Sequence, residues 1–215
     1  MNSLRSHRRQ ALGSSVGVLF ALLLANALVP ALHAQQSGTA IVFYAQSQVN
    51  DELWPVVFQA VRDDLASDSS ELPKGLVLDQ NPAFLPGKDL TQGIDFANVI
   101  QVKLLGRCDV LPQADRPSLR GPLGWVLLVS GEIQPFVFID CSRIAQVLRP
   151  VAAGLDKDGR RHVMAQAIAH VLIHEWIHVA TQNRSHGDRG ITQAALSVNE
   201  LIADPRLHLR VIPTH

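Results

Sequence analysis

The chain has 215 residues, and its 19 basic side chains are matched by 19 acidic ones, so that its formal net charge is zero. No basic run and no interleaving of basic with aromatic residues occurs after residue 35. The composition therefore gives no indication of a nucleic acid or an anionic membrane as a partner. The length is sufficient for one domain with a sizeable hydrophobic core.

The first 34 residues have the three-part pattern of a secretory signal peptide. Three arginines lie within the first nine residues, an apolar run extends from Val16 to Val29, and small residues precede a cleavage site near Ala34. We therefore expect an exported protein, with residues 1–34 as the leader and 35–215 as a single secreted or periplasmic domain without stable membrane association. The alternative is an uncleaved anchor, for which the apolar run is short.

Five short segments rich in β-branched and aromatic residues are predicted to be strands. In chain order they are Thr39–Ala45, Gly75–Leu78, Ala97–Leu105, Gly124–Ser130 and Pro135–Cys141. The intervening residues 81–97 and 112–122 are rich in proline, glycine and aspartate, or bounded by prolines, and are predicted to be loops. The connection Gly131–Gln134 is short enough for a hairpin, so the last two strands are predicted to be antiparallel.

Two helices are predicted from the spacing of apolar residues. Between Asn50 and Leu65 these residues recur every three or four positions, which indicates an amphipathic helix. A second helix, over about Gly159–Gln182, is apolar nearly all round and is expected at the centre of the domain. Burial of strongly polar side chains there is costly unless something satisfies them, so function is to be sought on this helix. Its strongly polar interior residues are His170, His174, Glu175 and His178.

The chain contains two cysteines, Cys108 and Cys141, on or beside separate predicted strands. In an exported protein a disulfide is expected from such a pair rather than a redox or metal site. Two buried free thiols are the alternative.

The residues His174, Glu175 and His178 form the pattern H-E-x-x-H. Residues four apart on a helix share one face, so the two histidines can bind one Zn²⁺ ion. Glu175 is the next residue round the helix, where its carboxylate can act as general base towards a water that the metal activates. The pattern therefore predicts a zinc cofactor and a hydrolase. For His170, one turn earlier, we expect a supporting or core role.

A catalytic zinc needs a third protein ligand, and two candidates compete for this position. His186 follows His178 by eight residues. Glu200 lies in the string Asn199–Asp204, which resembles the N-E-x-x-x-D of thermolysin-like enzymes, where the glutamate is the ligand. We favour His186, because thermolysin-like enzymes continue with a large helical domain. Glu200 is otherwise expected on a solvated helix over 193–203.

The segment His174–Thr192 resembles the metzincin-type zinc peptidases, in which a histidine follows H-E-x-x-H and a methionine turn lies beneath the metal. Over roughly residues 120–205 the chain more closely resembles a group of small exported bacterial zincin-like proteins. The matching residues are Phe138-Ile139-Asp140, Ala169, the histidines His174 and His178, His186-Gly187 and Gly190-Ile191-Thr192. The departures are Thr181 and Arg184 at the metzincin glycine and third histidine, Thr192 at the methionine, and Ile177 at the glycine common within H-E-x-G-H.

This resemblance implies an α/β fold of the zincin type, with a mixed, mostly parallel sheet and an antiparallel edge strand packed on a central active-site helix. It also implies an exported zinc metallopeptidase with His174, His178 and His186 as metal ligands and Glu175 as the general base. Gly124–Ser130 is then the candidate edge strand for an extended peptide or protein substrate. The alternatives are a zincin-fold binding protein that keeps zinc without turnover, against which the presence of Glu175 argues, and an α/β domain without metal.

Overall fold

The computed structural model describes residues 36–47, 49, 51–67, 76–87, 96–110, 120–187, 194 and 196–202. The predicted signal peptide lies outside these ranges. None of the helices in the described part of the chain combines the length with the apolar character that a membrane-spanning segment requires.

Five strands in the described part of the chain form one mixed sheet. They are β1 (Gln36–Ala45), β2 (Ala83–Pro86), β3 (Phe96–Leu105), β4 (Gly124–Val129) and β5 (Glu132–Asp140). The order across the sheet is β2-β1-β3-β5-β4, and every neighbouring pair is parallel except β4 and β5. The α/β class, the mostly parallel sheet and the antiparallel strand at its edge are therefore confirmed.

The prediction of a strand over Gly75–Leu78 is wrong. Residues 76–79 have no regular structure, and β2 lies instead in a segment that was predicted to be a loop. Leu78 is nevertheless buried, so its apolar side chain packs in the core although the residue does not belong to a strand. β2 has only four residues, ends at Pro86 and, among the strands of the described residues, pairs with β1 alone. Its existence therefore depends on a tertiary contact that local composition does not reveal.

The hairpin between β4 and β5 is tighter than predicted. Its turn consists of Ser130 and Gly131, whose φ angles of 52° and 89° are both positive, as a type I′ turn requires. β5 begins three residues before its predicted start at Pro135. The register with β4 shifts between Val126 and Leu128, opposite Pro135, which has no N–H to donate to a neighbouring strand.

Within the described residues, four helices accompany the sheet. They are α1 (Leu53–Ser67), α2 (Cys141–Ala152), α3 (Lys157–Thr181) and α4 (Val198–Leu201). The first and third correspond to the two predicted helices, whereas α2 forms where no element was predicted. Within the described residues the predicted helix over 193–203 is limited to α4, because residues 194, 196 and 197 are not helical.

The long helix α3 lies at the centre of the fold, as predicted. Its first turn is capped by Asp156, whose Oδ1 accepts the N–H of Gly159 at 2.7 Å. Every residue from Val163 to His178 is buried. The helix packs against α1, α2 and α4 and against strands β4 and β5. The polar groups in its middle are therefore enclosed by protein and need partners there.

Cys108 and Cys141 form the predicted disulfide. Neither cysteine lies within a strand: Cys108 follows β3, and Cys141 is the first residue of α2. The bond joins residues 33 positions apart and removes conformational freedom from the unfolded chain, which is worth about 3–4 kcal/mol on the loop-entropy model. It also fixes the first turn of α2 beside the end of β3.

Candidate metal centre

Two histidines and one glutamate lie in the buried middle of α3. His174, Glu175 and His178 are all less than one tenth exposed. The Nε2 atoms of the two histidines are 3.1 Å apart, and the two rings are nearly perpendicular, at 81°. The spacing of four residues therefore brings both rings to the same point beside the helix, as the sequence predicts.

A backbone carbonyl defines the tautomer of His178. Its Nδ1 lies 2.6 Å from the carbonyl oxygen of Asn183, and because this oxygen can only accept, Nδ1 carries the proton. In the neutral ring Nε2 then has a free lone pair, which faces His174. A hydrogen bond from the outer ring nitrogen to a carbonyl is the usual arrangement for a histidine that binds a metal.

The chain turns back directly after α3. Gln182 ends the helix with a left-handed backbone, at a φ of 52°. Its side chain pairs with both backbone groups of Ile133 at the start of β5, since Oε1 accepts from the N–H at 3.2 Å and Nε2 donates to the carbonyl at 3.0 Å. The Oδ1 of Asn183 then accepts the N–H of Ser185 at 2.9 Å. These contacts return the chain to the helix, where His186 joins the other two histidines.

The three histidines form a compact group of metal-binding atoms. One ring nitrogen each of His174, His178 and His186 lies within 4.8 Å of the others. Tetrahedral zinc holds nitrogen ligands at 2.0–2.1 Å, which places two of them about 3.3 Å apart, so the 3.1 Å between the Nε2 atoms of His174 and His178 fits such an ion. The structure therefore shows a group able to hold a metal ion, with imidazole ligands of the kind that suit zinc.

Glu200, the rival third ligand, is used elsewhere. It is the third residue of α4, where its Oε2 accepts the N–H of Ser197 at 2.7 Å, while its own N–H donates to the hydroxyl of Ser197 at 3.3 Å. This reciprocal pair is a capping box at the start of a short helix. Among the described residues the group of metal-binding atoms comprises the three histidines and does not include Glu200.

A cleft of about 490 Å³ opens beside the histidines. Its walls come from α3 and the chain after it, from α2, and from β4 with the residues just before it. β4 approaches the helix closely at Gly124, since a Cβ at this position would lie 2.5 Å from Cγ1 of Val171 and 3.1 Å from Oε1 of Glu175. The absence of a side chain at Gly124 therefore allows the edge strand to run directly past the Glu175 carboxylate.

Burial changes the acid–base behaviour of two groups in this cleft. It raises the pKa of Glu175 from its usual value of 4.5 to about 7, because a carboxylate in this position loses water. The pKa of His186 is lowered, first by loss of water around its ring and second by the charge that His178 carries when protonated. Both shifts favour neutral side chains in the metal-free protein, and the neutral imidazole is the form that binds metals.

The pKa of Glu175 makes the stability of the metal-free protein depend on pH. Above pH 4.5 the unfolded chain releases the Glu175 proton, while the folded protein keeps it up to about pH 7, so the folded state binds more protons in this range. The free energy of unfolding therefore falls with rising pH, by up to about 3 kcal/mol at pH 7 and above. We expect chelator-treated wild-type protein to lose this amount relative to Glu175→Gln between pH 4.5 and 7, as measured by urea unfolding. Parallel stability curves for the two proteins would contradict this result.

His170, one turn before His174, has partners away from the metal centre. Its Nδ1 lies 3.2 Å from the backbone carbonyl of Gln166 and 3.4 Å from a carboxylate oxygen of Asp64 on α1. This pairing links α1 to α3 inside the fold, and the metal-binding group of described residues does not include His170. The position agrees with the core role that was predicted for it.

Two residues around the site have no signal in the sequence. Gln182 holds the turn after α3, and Arg143 on α2 lines the cleft. Each is a single polar residue without a motif, so only the folded chain shows its position. Of the departures from the metzincin pattern, Arg184 lines the cleft, and Thr192 lies outside the described residues.

No protein-family model, no curated protein and no solved structure matches this chain at a significant level.

Proposed function

We propose that this protein is a zinc-dependent hydrolase of the zincin type that cleaves peptide bonds. The observation that supports the proposal most directly is the meeting of three imidazoles with a buried glutamate on one wall of an open cleft. His174, His178 and His186 would hold the metal, and Glu175 lies beside them. Zinc in such a site lowers the pKa of a water molecule and polarises a carbonyl group.

In this proposal Glu175 moves the proton. Its carboxylate is buried at the cleft and close to the backbone of Gly124, so a water and a substrate carbonyl can both come within its reach. A carboxylate in this position accepts a proton from the attacking water and returns it to the nitrogen of the leaving amine. A site that served only to bind a metal would have no use for such a base.

The edge strand supports an extended polypeptide as the substrate. β4 lies at the end of the sheet, and Gly124, Trp125, Val126 and Leu128 also line the cleft. Several large apolar side chains of this strand are exposed. An extended peptide that adds to an edge strand gains main-chain hydrogen bonds without dependence on its sequence. In this proposal the peptide runs along β4 and passes Glu175 at Gly124.

The proposal is tested with purified protein and an unfolded protein substrate. Zinc-loaded protein is expected to cleave reduced, denatured polypeptide into fragments that mass spectrometry identifies, and a chelator is expected to stop cleavage until zinc is restored. Bound zinc without cleavage of any denatured protein would favour the alternative, a zincin-fold binding protein without turnover. Export through the first 34 residues, to the periplasm or the medium, belongs to the same proposal.

A further inference from the structure

Arg143 lies in the wall of the same cleft as the histidines. It is the third residue of α2 and lines the space that His174 and Glu175 also line. Its guanidinium packs close to the backbone of Gly121, where a Cβ would lie 3.3 Å from Nη1. The first turn of α2 that carries it is fixed by the disulfide at Cys141. The position of Arg143 relative to the cleft is therefore well defined.

Arg143 is a half-buried residue, and two of its three guanidinium nitrogens have no partner. In the described part of the chain its Nε and Nη1 atoms are inaccessible to water and have no hydrogen bond. The nearby carboxylate of Asp140 accepts the backbone N–H of Arg143, at 3.1 Å, as the cap of α2. Because covering a guanidinium donor is costly unless the donor is paired, a ligand in the cleft that paired with this group would offset that cost.

The charges around Arg143 define which ligand fits. Arg184 lines the same cleft, and among the described residues that line it Glu175 is the only acidic one. A metal ion on the three histidines would add positive charge. A planar guanidinium has donors in a fork that matches the two oxygens of a carboxylate, and it binds this group more specifically than an ammonium does.

We infer that Arg143 binds a carboxylate of the substrate, and hence that the cleft selects peptides with a carboxylate close to the bond that is cleaved. The inference rests on the proposed function for the peptide nature of the substrate, but it requires neither turnover nor zinc. The carboxylate comes either from the C-terminus of the peptide or from an aspartate or glutamate side chain. These two sources have the same chemistry and are distinguished by the experiment.

The experiment measures binding in a protein that does not cleave. Four N-acetylated alanine-based tetrapeptides are titrated into the Glu175→Gln protein, and NMR shifts of the backbone amide groups give the dissociation constants. One peptide has a free C-terminal carboxylate and one the C-terminal amide. The other two are amidated and contain either glutamate or glutamine. We expect at least one carboxylate peptide to bind about 10- to 100-fold more tightly than its neutral match. The pair that shows this ratio identifies the source of the carboxylate.

Variants assign the preference to one residue. Arg143→Met is expected to abolish the ratio, and Arg143→Lys to retain part of it, because lysine keeps the charge but not the fork. Arg149→Met, on the same helix but outside the cleft lining, is expected to retain the full ratio. Equal binding of carboxylate and neutral peptides would overturn the inference. A ratio that survives in Arg143→Met and disappears in Arg184→Met would do the same.

Thermal unfolding separates recognition from a structural role. Because Arg143→Met removes two covered donor atoms that have no partner, its Tm in the absence of peptide is expected to equal or exceed that of the parent protein. A lower Tm together with an unchanged carboxylate ratio would show that Arg143 supports the fold and would contradict the inference. Loss of the ratio without loss of Tm supports it, whether or not the wild-type protein proves to be a peptidase.

Discussion

Replacement of Glu175 by glutamine is expected to leave zinc bound and to remove peptide hydrolysis. Glutamine has nearly the same shape as glutamate and leaves the three histidines intact, so about one zinc ion per chain should remain. Its amide cannot accept a proton from water, however, and general-base catalysis contributes about 10²- to 10⁴-fold to such reactions. We expect kcat/KM for an unfolded polypeptide to fall by at least this factor, as measured with a fluorescent derivative, while metal analysis shows unchanged zinc.

A glutamate outside the cleft provides the matched control. Glu132 is exposed at the start of β5 and does not line the cleft, so Glu132→Gln is expected to retain both zinc and activity. If Glu175→Gln cleaved at the wild-type rate, Glu175 would not be the base. If it lost the metal as well as the activity, the experiment would show that the carboxylate supports the metal centre.

Replacement of His186 by alanine is expected to abolish stoichiometric zinc. The variant keeps only two of the three imidazoles that meet in the folded chain. Loss of a residue that merely supports a ligand lowers metal affinity about 10- to 100-fold, so loss of a ligand itself should lower it by at least about 100-fold. Competition with a chromophoric chelator measures the affinity, and elemental analysis of the purified protein gives the stoichiometry.

Two control variants test whether the loss of zinc is specific to His186. Glu200→Ala removes half of the capping box of α4 and is expected to retain zinc, at a cost of about 1 kcal/mol in stability. His162→Ala changes a histidine near the start of α3 that is not part of the cluster and should also retain it. The reverse result, with zinc lost from Glu200→Ala and kept by His186→Ala, would overturn the choice of His186 as third ligand.

The two histidines of H-E-x-x-H could be paired from the sequence, because they lie four residues apart within one helix. An α-helix brings residues i and i+4 to one face whatever surrounds it, so His174 and His178 meet as the pattern predicts. The sequence favoured His186 as the third metal ligand but left Glu200 as an alternative. The turn at Gln182, which pairs with Ile133 of a distant strand, brings His186 back to the helix. No local pattern contains this contact.

The same distinction holds for the fold. Strands β1, β3, β4 and β5, helices α1 and α3, and the antiparallel hairpin could be predicted from local periodicity and turn length, because these reflect which side of an element is buried. β2 and α2 could not. β2 is four residues long, and β1 is its single partner among the described strands. α2 carries buried Ile144 and Leu148 one turn apart, but the face that they form is defined by packing against α3 and β3 in the folded chain.

The sequence by itself therefore determined the central helix, the two histidines with their glutamate, the disulfide pair and most of the sheet. Only the tertiary structure decided that His186 joins the histidines while Glu200 caps α4, and that β4 passes Glu175 at Gly124. It also decided that Arg143 lines the cleft with two guanidinium nitrogens unpaired. The physical reason is the range of the interactions. Helical spacing and strand alternation act over a few residues, whereas a cleft is built by elements that lie far apart in the chain.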